Sequence, residues 1–297
     1  MRVTQSMLSN NLLKNLSASY SKLGKYQDQI TTGKKVNRPS DDPVIVMKGI
    51  GYRAELNKVQ QYSRNIGEAY NWLNTTDDAL DKIGSALQRA RELMVQASTD
   101  TVTPEERLQI NSELQQLREH IQNLANTKIG NRYIFSGTKT TTPPFENGQF
   151  SIDTAADDEK AAFTKPIEIE VFNGISIQIN TTPIELFKKI DSMFADIDAT
   201  IDFKSADELS SYLNDIDSVM DELLSTRADV GARQNRIELM DDRLQSQEII
   251  ATKQMSENED IDYEKSITDL ITQESIHRAA LSVGSRIIQP TLVDFMR

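Results

Sequence analysis

The sequence predicts a mainly α-helical protein with a small β insert. Its core is a long antiparallel, coiled-coil-like helical bundle built from both chain ends, and a β-rich domain is inserted in the middle. Two long segments carry apolar residues at alternating spacings of three and four, the heptad pattern of packed helices. Shorter heptads recur at both ends of the 297-residue chain. Between the long segments, one stretch alternates apolar and polar residues around an Asn-Gly pair, which predicts a β-hairpin.

The first predicted element is an amphipathic helix near the N-terminus, too short to be stable alone in water. Up to Arg38, seven basic residues against one acidic residue give a net charge of +6, whereas the whole chain carries −12. Such a helix can lie on anionic membranes or pair with acidic surface of its own kind, and the lack of Trp and Phe favours the second interpretation. Its heptad row is formed by Leu12, Leu16, Ser19, Leu23, Tyr26 and Ile30.

A polar segment, TGKKVNRPSDDPV, follows this helix at Thr32–Val44. Pro39 disfavours helix at Arg38, and the polar residues before Pro43 can cap a new helix with the proline in its first turn. The segment is interpreted either as a simple loop or as a spoke that links an inner helical layer to an outer one. The spoke residues would be Asn37, Arg38, Pro39, Ser40, Asp41, Asp42 and Pro43.

Two long helices are predicted next, as antiparallel neighbours. The first carries a heptad row from Val59 to Ala97, and no proline falls between Pro43 and Pro104. A helix of about 45 residues would be on the order of 65 Å long. Thr103, Pro104 and Glu106 then form a capping box with proline in the first turn, which predicts a new helix after a short connection.

The region from about residue 129 to 182 changes character, because it is rich in Thr, Gly, Pro and Asp. PIEIEVFNGISIQIN predicts a hairpin around Asn173-Gly174, and NRYIFSG before it is interpreted as a strand. Thr182 and Pro183 then start another helix. This region is therefore predicted to be a small β domain inserted between helices.

A third long helix is predicted from Ser205, where Glu208 completes a capping box. One heptad row of this helix is apolar along its length, and the other turns polar halfway. The polar half is interpreted either as a solvated face or as a contact with a neighbouring subunit. The apolar row is Leu209, Ile216, Leu223, Val230, Ile237, Leu244 and Ala251; the other is Leu213, Met220, Arg227, Gln234, Asp241, Glu248 and Met255.

The C-terminal end carries a weaker heptad row and then the apolar stretch IIQPTLVDFMR. Exposed apolar stretches usually mark a contact, so we expect both ends to pair with each other and with copies from other subunits. The C-terminal row is Tyr263, Ile267, Leu270, Glu274, His277, Leu281, Gly284 and Ile288. The candidate assembly residues are Leu12, Leu16, Leu23, Tyr26, Ile30, Ile267, Leu270, Leu281, Ile288, Leu292 and Phe295.

These elements predict a nested domain organisation. The terminal helices, residues 1–40 and 260–297, form an inner assembly layer. A long-helix core covers residues 41–130 and 183–259, and the β-rich outer insert covers residues 131–182.

Catalytic and cofactor chemistry finds little support in the sequence. There is no cysteine, and the two histidines, His120 and His277, fall beside and within helical rows, as packing residues do. GIGYRA at Gly49–Ala54 lacks the third glycine and the preceding strand of a dinucleotide loop. The acidic charge argues against general nucleic-acid binding. We therefore expect no enzyme, no cofactor and no metal.

The sequence also lacks targeting and membrane-spanning signals. There is no apolar run long enough to cross a bilayer and no pattern of a cleavable signal peptide. A cytoplasmic protein, and one exported without a cleaved signal, both fit.

Three segments carry a family resemblance. The N-terminal helix with QITTGKKVNRPSDDP resembles the start of the bacterial flagellin and hook-associated protein superfamily, and ALSVGSRIIQPTLVDFMR resembles its C-terminal helix. NRYIFSGTKTTTPPF, Asn131–Phe145, is similar to the entry of the middle domain in the FlgL-type branch, the hook–filament junction proteins. Thr31-Thr32-Gly33 stands where a double serine is commoner.

The resemblance implies a structural protein of the extracellular flagellum, exported unfolded through the flagellar type III apparatus without signal cleavage. Its ends would be largely disordered in the free monomer and order on assembly. Its implied partners are copies of itself in a ring or helical layer, the hook-side junction protein, flagellin, and an export chaperone on the C-terminal end. A flagellin, or a secreted coiled-coil effector or tip protein of a type III injection machine, remains the alternative.

Overall fold

The computed structural model describes residues 5–99, 102–146, 148–154, 157–200 and 206–287. Within these ranges the fold is mainly helical with short antiparallel strands, as predicted. The helices are α1 (Gln5–Thr32), α2 (Pro43–Ala97), α3 (Pro104–Ala125), α4 (Ser151–Thr154), α5 (Asp157–Thr164), α6 (Ile184–Thr200), α7 (Ala206–Glu259) and α8 (Tyr263–Ile287). The strands are β1 (Lys128–Ile129), β2 (Arg132–Tyr133), β3 (Phe145–Glu146), β4 (Gln149–Phe150), β5 (Glu168–Phe172) and β6 (Ile175–Gln178).

The chain divides into two compact units. Unit 1 combines Met1–Lys58 with Gln247–Arg297, and unit 2 is Val59–Ser246. These divisions fall at other positions than the boundaries predicted from the sequence, and the β strands belong to the same unit as most of α2 and α7. The assignment of inner, core and outer layers concerns an assembly and therefore stays a prediction.

Unit 2 contains the hydrophobic core. The heptad row of α2 is buried as predicted, and Leu73, Leu80 and Leu87 have no exposed surface. Thr103 forms the predicted capping box of α3 with Glu106, whose side chain accepts a hydrogen bond from the Thr103 amide at 2.9 Å. α2 and α3 are side by side and antiparallel, because residues at equal distances from their connection meet across the two helices. Those residues are Arg89 and Glu113, which form an ion pair at 2.8 Å.

The two rows of α7 behave differently, as their sequence predicted. The apolar row is buried from Ile216 to Ala251, whereas the other row is half-buried. In its polar half, Arg227 and Gln234 pair with α2 inside the same chain, and a contact of this half with a neighbouring subunit stays a prediction. Leu209 and the predicted cap Ser205 have no described side chain.

The β region contains the predicted hairpin and one wrong prediction. β5 and β6 pair antiparallel around Asn173-Gly174, where Gly174 has a φ of 72°. The predicted strand NRYIFSG forms strand only at Arg132–Tyr133. Ile134 and Phe135 are buried, and the Ile134 amide donates to the Thr127 carbonyl at 3.2 Å, one residue beyond the paired strands. The predicted strand is thus reduced to one side of a short β1–β2 hairpin.

Unit 1 consists of α1, α8, the start of α2 and the end of α7. α1 packs along α8, as their heptad rows predict. The hydrophobic core cluster lies wholly within residues 59–244 and thus includes none of unit 1. Among the described side chains of unit 1, the buried apolar ones are Ala251 and Ile261. Unit 1 therefore has helices but almost no interior.

Candidate assembly interface

Two chain turns of unit 1 are joined by a short backbone ladder. The Lys35 amide donates to the Glu259 carbonyl at 2.7 Å, and the Ile261 amide donates to the Gly33 carbonyl at 3.0 Å. Lys34 and Asp260 form the antiparallel bridge between these bonds. The turn after α1 is thereby fixed to the turn before α8. We call this ladder the end clamp, formed by Gly33, Lys34, Lys35, Glu259, Asp260 and Ile261.

Ion pairs reinforce the end clamp. Lys34 Nζ lies 2.6 Å from Asp260 Oδ1 and 3.5 Å from Glu259 Oε2, and Arg53 Nη2 donates to Glu259 Oε2 at 2.6 Å. The hydrogen bond to Asp260 raises the pKa of Lys34, and the same bond, with one from the Ser256 hydroxyl, lowers the pKa of Asp260. The hydrogen bond to Glu259 raises the pKa of Arg53. Glu259 is a carboxylate at 9% exposure held between two cations.

Two glycines provide the space that the clamp needs. Gly49 lies inside α2, where a Cβ would overlap the Glu259 carboxylate, so the buried acid requires glycine at this position. Gly33 has a φ of 70°, which favours glycine, and a Cβ there would lie 2.9 Å from the Tyr263 hydroxyl. Sequence reasoning missed these roles, because the partners are more than 200 positions away.

The predicted spoke residues form an ordered turn beside the clamp. Asp42 caps α2, because its Oδ1 accepts from the Val44 amide at 3.0 Å and from the Ile45 amide at 3.2 Å. The amide of Arg38 donates to Asp41 Oδ2 at 3.2 Å, and the amide of Asp41 donates to the Arg38 carbonyl at 2.9 Å. The exposed members are Asn37, Arg38, Pro39, Ser40, Asp41 and Pro43. These contacts describe the turn, and its role as a spoke between layers stays a prediction.

The candidate assembly residues of α1 face α8. Leu12, Leu16, Leu23, Tyr26 and Ile30 are all half-buried, so the predicted row is the packed face of this helix.

The contacts at this face explain its composition. Ser19, inside the row, accepts a hydrogen bond from Gln273 Nε2 at 2.8 Å. Gly284 of α8 lies against Leu12, where a Cβ would come within 2.7 Å of Leu12 Cδ2. Small and polar residues on α8 thus accommodate the large side chains of α1.

The candidate residues of α8 are only partly on the packed face. Leu270 is half-buried, but Ile267 and Leu281 are 44% and 48% exposed. Their predicted burial is not supplied within the single chain, and their contact with copies from other subunits stays a prediction. Ile288, Leu292 and Phe295 lie outside the described residues. The residues of α8 turned toward α1 include Leu270, Gln273, His277, Ala280 and Gly284.

Unit 1 displays most of the exposed large apolar side chains. Among the residues whose side chains are described, 19 large apolar ones are exposed and 15 of these belong to unit 1, the smaller unit. Sequence reasoning missed most of them because it assigned apolar residues to internal rows. They are Met7, Leu8, Leu13, Tyr20, Val44, Met47, Ile50, Ile249, Ile250, Tyr263, Ile267, Ile271, Ile276, Leu281 and Val283. We call these fifteen residues the uncovered surface.

The part of the chain that the structure describes offers no cluster of three or more His, Cys, Asp or Glu side chains for a metal ion. None of its helices combines the length and apolarity needed to span a membrane. His120 is exposed, and His277 is half-buried with its ring 6.1 Å from that of Tyr20. Unit 1 therefore offers apolar surfaces for contact with other molecules. The polar groups of the end clamp and of the α1–α8 contact stabilise the packing within unit 1.

Family models match both ends of the chain. The N-terminal helical region of bacterial flagellin matches residues 3–140, and the C-terminal helical region matches residues 213–296. Flagellar hook-associated protein 3 of Escherichia coli K12 is 27% identical over 300 residues, covering 94% of this chain and 95% of that protein. The similarity thus extends over nearly the full length of both chains.

Solved structures share the fold at low sequence identity. FlgL from Bacillus cereus superposes with a TM-score of 0.59 at 21% identity, covering 69% of this chain and 99% of the other. The flagellar junction protein FlgL from Legionella pneumophila gives a TM-score of 0.53 at 14% identity, covering 72% and 100%.

Proposed function

The chain belongs to the bacterial flagellin and hook-associated protein superfamily, and on that premise we propose that it is the structural protein of the hook–filament junction. In this role it joins the hook-side junction protein to the flagellin filament. It acts as a building block and not as an enzyme. The similarity to a flagellar hook-associated protein 3, at 27% identity over nearly the full length of both chains, supports the junction.

One observation carries the proposal: the described residues of unit 1 form almost no core and have the uncovered surface. A folded unit normally buries its apolar side chains in an interior, and larger exposed patches mark interaction sites. Unit 1 is also made from both chain ends, which lie almost wholly within the longer regions that the flagellin models match. We therefore assign the uncovered surface to contacts with neighbouring subunits of the flagellum.

The free energy of burying apolar side chains supports the proposal that neighbouring subunits cover unit 1. Six side chains of α8 in the uncovered surface are between 44% and 57% exposed. Fully burying such a side chain contributes about 1.5–3 kcal/mol, so covering the exposed half of all six adds roughly 5–9 kcal/mol. Association itself costs an estimated 4–15 kcal/mol or more. A single helix contact is thus marginal, whereas a subunit that engages several neighbours binds firmly.

The remaining parts of the function follow from the same proposal. The chain is exported without a cleaved signal and orders its ends on assembly into a ring or helical layer. Before assembly, the apolar C-terminal end is held by an export chaperone, because an amphipathic helix suits an apolar groove. The candidate residues Ile288, Leu292 and Phe295 take part in the same assembly contacts. The turn at Asn37–Pro43 links the inner helical layer to the outer one.

Immunogold labelling of intact flagella tests the proposal. We expect gold at one point, between hook and filament, and we expect cells lacking the chain to keep their hooks and release filament protein into the medium. Labelling along the whole filament would identify the chain as a flagellin, the alternative that the flagellin family models keep open. Absence of label from purified flagella would overturn both.

A further inference from the structure

The pairing of α2 with α7 in unit 2 contains polar contacts across the two helices. Two of their members, Arg227 and Gln234, continue a row that is apolar nearer the start of α7, at Leu213 and Met220. We call them the polar rungs: Asn74 with Gln234, Asp77 with Arg227, Asp81 with Arg227, and Arg91 with Asp217.

Each rung has hydrogen-bond geometry. Arg227 donates from Nε to Asp77 Oδ1 at 2.7 Å and from Nη1 to Asp81 Oδ1 at 2.5 Å. Gln234 donates from Nε2 to Asn74 Oδ1 at 3.0 Å. The central rung is thus a fork, in which one guanidinium holds two carboxylates one helical turn apart.

The rungs mark one antiparallel alignment. In three of them the two residue numbers add to the same total: Asn74 with Gln234, Asp81 with Arg227, and Arg91 with Asp217. Equal totals are expected for two antiparallel helices, because each residue forward along one helix is matched by one residue backward along the other. The alignment of the two helices therefore does not shift between these rungs. The rungs therefore report a single register over more than two heptads.

The apolar rows alone do not define that register. The buried residues of α2 recur every seven positions, and so do those of α7. Sliding one helix by a heptad, about 10 Å, sets the inner members of the two rows of large apolar residues opposite one another again. Leucine, isoleucine, valine and methionine then meet one another as before. The rows are Ile66, Leu73, Leu80, Leu87 and Met94 on α2, and Ile216, Leu223, Val230, Ile237 and Leu244 on α7.

We propose that the polar rungs determine the register between α2 and α7. A slide by one heptad in one direction places Gln234 opposite both aspartates of the fork. The opposite slide places Met220 there. Either slide separates Arg227 from Asp77 and Asp81, so each wrong register loses the whole fork.

The ion pair between Arg91 and Asp217 is also lost when one helix slides by a heptad. In one slide Arg91 faces Leu224, and in the other Asp217 faces Gly84. Both charged rungs are thus lost in either slide.

The rungs discriminate between registers more than they stabilise the fold. The side chains of the fork are between 34% and 56% exposed, and ion pairs at such sites contribute little net stability. Polar residues within an apolar seam are known to fix register and partner at some cost in stability. The four rungs act together, and all are present in one alignment only.

Exchanging two residues tests the proposal at constant composition. In the double variant Arg227→Gln, Gln234→Arg, the arginine meets Asp77 and Asp81 only after a slide of one heptad. The chain has no cysteine, so spin labels can be attached at Gln88→Cys and Asp242→Cys and their separation measured by pulsed electron paramagnetic resonance. The slide brings these two sites closer along the helix axis by about 10 Å.

We expect the exchanged protein to show a second, shorter distance that the parent labelled protein lacks. A single distance equal to that of the parent overturns the proposal, whether or not the melting temperature falls, because the rungs would then contribute stability without setting register. The labelled parent protein and the single variant Gln234→Arg serve as controls.

A charge-reversed fork keeps the proposal testable if the exchanged protein does not fold. Asp77→Arg, Asp81→Arg and Arg227→Asp together restore the fork in the original register with opposite signs. We expect this variant to fold with the single parent distance. Additional distances, or loss of folding, would overturn the proposal.

Discussion

Replacing Gly49 by alanine tests the end clamp through one methyl group. Gly49 lies in α2, where a Cβ would overlap Glu259 Oε1 and approach its Cδ to 3.3 Å. Gly51, two residues on in the same helix, has nothing within 4 Å of the same position. The two variants are a matched pair, because both exchange glycine for alanine inside one helix.

The expected change in the stability of unit 1 is the sum of two opposing contributions. Alanine is about 1 kcal/mol more favourable than glycine in a helix, so Gly51→Ala should stabilise unit 1 by that amount. Gly49→Ala gains the same term but displaces the Glu259 carboxylate from Arg53 and Lys34. A hydrogen bond to a charged group contributes about 1.5–3 kcal/mol. Since the helix term cancels between the variants, they should differ by about 1.5–3 kcal/mol, roughly 10- to 150-fold in an opening equilibrium.

Amide hydrogen exchange measures this free-energy difference directly at the end clamp. The amides of Lys35 and Ile261 donate the two ladder bonds, and their protection reports local opening. We expect Gly49→Ala to lower their protection at least tenfold relative to Gly51→Ala in the full chain. Equal protection in the two variants would refute the reasoning, because it would mean that the Glu259 ion pairs do not hold the ladder.

The remaining predictions concern assembly, pH and capping. Leu281→Asp should prevent incorporation into flagella, whereas Leu239→Asp, on an exposed leucine of unit 2, should not; equal loss in fractionated flagella would contradict the role of the uncovered surface. The hydrogen bond from Lys34 lowers the pKa of Asp260 below its unfolded value of about 3.9. The pair therefore stabilises the clamp above about pH 4 and is lost as the pH falls through the folded pKa. The protection factor of the Lys35 amide should fall below pH 4 in the parent and much less in Asp260→Asn; identical pH profiles of protection would exclude this pair. Thr103→Ala should destabilise unit 2 by about 1 kcal/mol in denaturant unfolding, and an unchanged midpoint would show that the capping box contributes nothing.

Sequence periodicity was sufficient for the long elements. The buried rows of α2 and α7, the capping box at Thr103 and the hairpin turn at Asn173-Gly174 all follow from local chemistry, and the structure has each of them. The strand predicted at NRYIFSG is confined to Arg132–Tyr133, because it pairs only with the two residues of β1 across a tight hairpin.

The end helices show where an apolar pattern misleads. On α8 the predicted row contains Ile267 and Leu281, and both are exposed in the single chain. The packed face keeps Gly284 of that row and adds Gln273, and these residues match the bulk of Leu12 and the hydroxyl of Ser19. An apolar heptad pattern indicates that a helix face is shielded from water. It does not indicate whether the shielding residues belong to the same chain or to another subunit.

The end clamp could not be predicted from local sequence. Its members are separated by more than 200 positions, as in the bond from Lys34 to Asp260. Lys34, Arg53 and Glu259 also look like ordinary surface charges in sequence, since charged residues are common on helices. Only the antiparallel return of the chain brings the two turns together.

The most direct test of the account is amide hydrogen exchange on the free chain and on the assembled junction. The account predicts strong protection of the buried positions of unit 2 in both states. The amides of α1 and α8 should be weakly protected in the free chain and strongly protected after assembly, because neighbouring subunits then cover the uncovered surface. Protection of α1 and α8 in the free chain equal to that of unit 2, unchanged on assembly, would contradict the claim that unit 1 is completed by its neighbours.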